Sequence, residues 1–134
     1  MRLVPAAAVA AALILQGCGG SAGDVLAIEV SGGPLSAKQI LVVTDDGRGS
    51  CDRGSLKDIP NSQLIDAQAL ARDAKPLAET AASYGGPRPG ARRYLLRLPQ
   101  GDVSWTEGAA GIPSALARAQ LLALQLGREL CGRA

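Results

Sequence analysis

The segment RRYLLRLPQGDVSWTE, residues 92–107, leaves few options other than a β-hairpin. Side chains alternate across a strand, so Tyr94, Leu96 and Leu98 fall on one face of a first strand, and Val103 and Trp105 on one face of its return. Pro99 and Gly101 lie within the intervening turn, residues 99–102, where proline sets φ and glycine accepts positive values. A hairpin with one apolar face is marginal by itself in water. More strands and a covering layer are therefore expected.

The remaining sequence supplies both. In DVLAIEVS, Leu26, Ile28 and Val30 alternate on one face of a strand that the following GGP ends. QILVVT, residues 39–44, reads as a second strand, and Asp46-Gly47 suits a tight turn into a third over 48–53 that carries Cys51. Ile59-Pro60-Asn61-Ser62 has the form of a helix start. Apolar positions 67, 70, 71, 74, 77, 78 and 81 then recur at helical spacing to about residue 82, with Pro76 expected to kink or divide the helix. SYGGPRPGA reads as a loop. Ile112-Pro113-Ser114 opens a last helix to about residue 130, whose leucines at 116, 121, 122, 124, 126 and 130 spread around the cylinder and predict substantial burial. The expectation is an α+β fold, a small antiparallel sheet of about five strands with two helices packed on one face.

The amino terminus is of another kind. Met1 and Arg2 precede an uncharged stretch, residues 3–15, broken only by Pro5. It has the length of a signal-peptide core and falls short of the roughly 20 apolar residues that cross a bilayer. Leu15, Gln16, Gly17 and Cys18 then resemble a bacterial lipobox, the processing site of lipoprotein signal peptides. The resemblance implies cleavage between Gly17 and Cys18, a diacylglyceryl thioether on Cys18 and acylation of the freed amine. Two or three acyl chains hold a protein on a membrane far more firmly than one, at about 0.8 kcal/mol per buried methylene. Ordinary cleavage near Ser21, Ala22 and Gly23, releasing a soluble product, and a chance cysteine are the alternatives. The implied organisation is a signal peptide at 1–17, a flexible tether at 18–23 and one α+β domain at 24–134, lipid-anchored to the cell membrane or outer membrane on the extracytoplasmic side. Gly19, rather than aspartate, follows the cysteine, which by family analogy argues against inner-membrane retention in a cell with two membranes.

With Cys18 assigned to lipid, Cys51 and Cys131 remain as an even pair, and in an oxidising compartment they are expected to form a disulfide; two unpaired thiols are the alternative. The chain has no histidine, which excludes Ser-His-Asp and Cys-His catalysis and imidazole-based zinc sites. None of Lys38, Lys57 and Lys75 completes an S-x-x-K motif. Asp45 and Asp46 beside Gly47 read as a solvated turn, and GSCDRGS, residues 49–55, has phosphate-loop spacing without the required lysine. Asp45, Asp46, Asp52 and Asp58 do not follow the calcium helix-loop-helix spacing. No catalytic residue, metal or cofactor is expected. The formal net charge is +2, one unit less without Arg2, which gives no electrostatic case for nucleic acid.

Four arginines, Arg88, Arg92, Arg93 and Arg97, crowd the first strand of the 92–107 hairpin and the loop before it. They are a candidate surface for anionic headgroups or an acidic protein partner at the cell surface, the alternatives being a solvated face or charge protection of an edge strand. The order of elements after residue 24, with RRYLLRLPQGDVSW and a GIP helix start, resembles emfourin-type small inhibitors of thermolysin-like metalloproteases and related actinobacterial proteins. That resemblance implies a protease inhibitor as the alternative to the main expectation: a noncatalytic, membrane-anchored lipoprotein with a binding or envelope-interaction role.

Overall fold

The computed structural model describes residues 23–132; the lipobox with Gly17 and Cys18, and nearly all of the 18–23 tether, lie outside the described residues. The fold is α+β, one seven-stranded sheet with three helices. Strand β1 (Asp24–Gly32) is central, flanked antiparallel by β2 (Gln39–Thr44) and β6 (Arg92–Leu98). Outward from β2 come β3 (Arg48–Cys51) and β4 (Lys57–Asp58); outward from β6 come β7 (Gly101–Thr106) and β5 (Ser83–Tyr84). Ile28 lies opposite Leu41 on one side and Leu96 on the other, so the alternating apolar sets share one face.

The sheet is larger than the five strands expected and is mixed, because β5 runs parallel to β7. Both additional strands are two-residue edges without an apolar alternation of their own. Tertiary contact creates them: Lys57 and Asp58 pair with Gly49 and Arg48 of β3, while beside β5 Ser104 N donates to Ala82 O at 3.1 Å and Ser104 Oγ to Ser83 Oγ at 3.1 Å. The helix expected through residue 82 is two, α1 (Asn61–Asp73) and α2 (Lys75–Glu79), with α3 (Ser114–Leu130) as the third. Pro76 stands in the first turn of α2 and has no N–H to offer Arg72 O, so the ladder stops at Ala74.

One face of the sheet is covered. Leu26, Ile28, Leu41, Val43, Leu96 and Val103 on that face are fully buried beneath Ala67, Leu70, Ala74, Leu116, Ala119 and Leu126 of the helical layer. The alanines let helix and sheet backbones approach closely. At Gly49 the approach is closer still: a Cβ there would stand 2.8 Å from both Leu130 Cδ1 and Val42 O. Beside that contact Cys51 of β3 and Cys131, just past α3, lie at disulfide distance, with Sγ atoms 2.08 Å and Cα atoms 5.3 Å apart. Lys57 Nζ donates to Leu130 O at 3.2 Å and ties down the same helix end.

The last helix differs from expectation on one flank. Leu116, Leu122, Leu126 and Leu130 are buried, whereas Leu121 and Leu124 are 56% and 48% exposed. Spreading leucines around a cylinder buries them only where neighbours close over every side, and no described element covers this flank.

Candidate interaction groove along the last helix

Helix α3 crosses the sheet from β7 to β3. Near its start Trp105 Nε1 donates to Gln120 Oε1 at 2.8 Å, and near its end Gly127 faces Gln39 while Leu130 rests on Gly49. Between the exposed flank of α3 and the end of the sheet remote from Asp24 lies a groove of about 640 Å³. That volume is within the usual range for ligand sites. Leu121 and Leu124 form one wall, Leu35 belongs to the other, and Val30, Tyr94 and Ala123 contribute the floor.

The floor is braced from beneath. Tyr94 stacks on Trp105 with ring centroids 5.2 Å apart and planes 13° from parallel, and Trp105 is in turn held by Gln120. Burial pushes the Tyr94 phenol above its ordinary pKa, so it meets the groove as a neutral group. At the rim, Arg92 N donates to Glu107 Oε2 at 2.6 Å, and the Arg92 guanidinium stands 3.7 Å from Glu107 Oε1. Arg128 also lines the groove, is exposed, and has no ion pair among the described residues.

The four clustered arginines do not form one surface. Alternation along β6 sends Arg92 to the helix-covered side with Tyr94, and Arg93 and Arg97 to the open side. Arg93 donates to Gly85 O and Thr106 Oγ1 at 3.1 and 2.7 Å, and Arg88 to Glu107 O at 2.9 Å. Arg97 reaches Glu29 Oε2 at 3.0 Å, while Lys38 takes Glu29 Oε1 at 3.2 Å. Glu29, only 10% exposed at its side chain, is closed over by these two cations. Three of these arginines therefore serve local structure on or beside the open face, and Arg92 alone joins the groove.

Asp46, in the acidic pair beside Gly47, braces the turn between β2 and β3. Arg48 donates to Asp46 Oδ2 through Nη2 at 2.8 Å and Nε at 3.0 Å, and Thr44 Oγ1 donates to Asp46 Oδ1. The Arg48 hydrogen bonds, then that from Thr44, hold the Asp46 carboxyl below its usual range; Arg118 and then Arg72 do the same for Asp73. In the 49–55 segment, Asp52 Oδ1 accepts from Ile40 N at 2.8 Å and fixes the chain as it leaves β3. Among the described residues no group of three or more His, Cys, Asp or Glu could hold a metal ion, and no described helix is long and apolar enough to cross a membrane.

The shifted groups set a pH window for stability. Depressed carboxyls at Asp46 and Asp73 stabilise the fold above their unfolded values and cease to do so as pH falls through the lower folded ones, below about pH 4. A raised Tyr94 stabilises it below the unfolded phenol value and ceases to do so above about pH 10. Thermal unfolding followed by circular dichroism is expected to show no contribution from these groups to any change between those limits. Replacing Asp46 and Asp73 by asparagine should flatten the acid limb, and an unchanged acid limb would contradict the assignment.

Compared with family models, curated proteins and solved structures, the chain matches none.

Proposed function

We propose that the protein is an exported lipoprotein, held at the extracytoplasmic surface of a membrane through acylated Cys18, whose folded domain acts noncatalytically by binding. The observation that supports export independently of the lipobox is the cysteine pair. Cys51 and Cys131, 80 residues apart in sequence, meet at disulfide distance where sheet and last helix join, and such bonds persist in oxidising compartments. The direction of the domain fits this reading. Residues 18–23 lead to Asp24 at the start of β1, and the nine residues of β1 then carry the chain about 27 Å to the far end of the sheet, where the groove lies. The groove thus lies at the end of the sheet remote from Asp24.

Cells producing the intact protein are expected to hold it in the membrane fraction, with a mass that corresponds to a chain starting at Cys18 plus its acyl groups. Replacing Cys18 by alanine should abolish both the processing and the acyl mass. A Cys18→Ala protein that is still membrane-bound with unchanged mass would overturn the anchor.

A further inference from the structure

We propose that the groove along α3 receives an amphipathic helix of a partner protein, with a carboxylate placed to meet Arg128. The inference deepens the binding role proposed above by naming the class of partner. Ala117, Leu121, Leu124 and Arg128 recur at intervals of four, three and four residues on the exposed flank of α3. At a rise of about 1.5 Å per residue they mark a wall about 16 Å long, three helical turns. Along such a wall, an occupant is held by a row of apolar contacts.

The nature of the walls selects a helix. They are built from the side of α3 and the side chains of the sheet face, and the free edges of the sheet, β4 and β5, do not line the groove. An extended peptide would find no row of backbone donors and acceptors to pair with, and its own would go unsatisfied; a helix satisfies its backbone internally and needs only an apolar stripe. The groove is also open along its length, with both wall leucines about half exposed. A small ligand in a dedicated site is normally enclosed over most of its surface, and this site would leave one largely wet.

Charge gives the occupant its sign. The charged lining is two arginines and Glu107; Glu107 accepts from Arg92 N and stands 3.7 Å from the Arg92 guanidinium, so its charge is met within the groove and Arg128 carries the surplus positive charge. The Arg92–Glu107 pair lies toward β7 and the Trp105–Gln120 end, and Arg128 toward Gln39 and the far end, so the positive charge without an ion pair among the described residues stands at that far end. A second copy of this chain offering the same flank would bring no carboxylate among its four positions, so it does not supply the complement. An acidic helix of another protein does.

The test places a photoreactive amino acid at Leu124 of the full-length protein in its producing cells, with Leu56, exposed in the loop before β4, as the control position. Crosslinking at position 124 is expected to join a segment that peptide sequencing identifies as an amphipathic helix bearing carboxylates. Arg128→Glu should lower that yield about tenfold and Arg128→Lys restore most of it, with thermal stability of both variants checked in parallel. The proposal is overturned by equal yields at 124 and 56, by adducts only with lipid or a second copy, by a joined segment that is extended or basic, or by a yield indifferent to Arg128→Glu. Acylation at Cys18 is read from the mass of the amino-terminal peptide in the same sample, so loss of the anchor and loss of the groove contact are separate results.

Discussion

Replacing both Cys51 and Cys131 by serine is expected to lower the free energy of unfolding by about 4.5 kcal/mol. Opening a loop of 80 residues returns that much chain entropy to the unfolded state at room temperature. For a domain of this size, the loss corresponds to a fall in Tm on the order of 15 °C. Either single substitution should cost nearly as much, because one cysteine cannot close the loop. Scanning calorimetry of the oxidised protein, the reduced protein and the double variant measures it, and a drop under about 1 kcal/mol would show that the crosslink does not constrain the chain. The loss should also be uneven. The crosslink stands beside the Leu130–Gly49 contact and the Lys57–Leu130 hydrogen bond, so hydrogen exchange should accelerate first in the last turns of α3, where Arg128 lines the groove. The Gln120 turn, held separately by Trp105, should keep its protection.

What the sequence disclosed followed from how local its physical causes are. A period of two across residues 26–30 and 94–98 placed Leu26, Ile28, Val30, Tyr94, Leu96 and Leu98 on the covered face, since alternation is a property of the strand itself. The break before Pro76 was equally local, the consequence of one missing amide hydrogen. The edge strands β4 and β5 were not legible, because Lys57–Asp58 and Ser83–Tyr84 become strands only by lying beside β3 and β7. The placing of Arg93 and Arg97 on the strand face opposite Tyr94 was legible from the same alternation, whereas the local partners that occupy them were not. Clustering in sequence is not clustering in space on a strand.

The groove depends on still longer-range causes. The spacing of six leucines on α3 told of a helix and could not tell which flank would go uncovered. That was decided by where α1 packs and by the Gln120–Trp105 hydrogen bond, which orients α3 across the sheet. The signal that was available is subtler: Leu121 and Leu124 stand on a flank with Ala117 and Arg128, whereas Leu122, Leu126 and Leu130 form the steep apolar row.

Trp105→Ala is expected to have the other large effect, a loss of about 4 kcal/mol. Trp105 is fully buried, supports Tyr94 from below and holds Gln120 from the side, so alanine leaves both a void and an unsupported ring. Gln120 itself borders the groove and can turn to water, which keeps its lost hydrogen bond from adding a buried polar penalty. Trp105→Phe should recover most of the packing and cost on the order of 1 kcal/mol for the missing donor. Urea unfolding of the three proteins should show midpoints in the order wild type, Phe, Ala at similar slopes; a Trp105→Ala protein within about 1 kcal/mol of wild type would mean that the indole does not support the floor of this site. Gln120 and Cys131 are eleven residues apart along α3, about 16 Å, far enough for independent contributions. Removing the crosslink and the indole together should therefore cost about 8.5 kcal/mol, within the 5–15 kcal/mol that a small domain possesses. The triple variant is expected to show the sum of its parents' losses within about 0.5 kcal/mol, and a loss well short of that sum would show that the two ends of α3 are coupled rather than held independently.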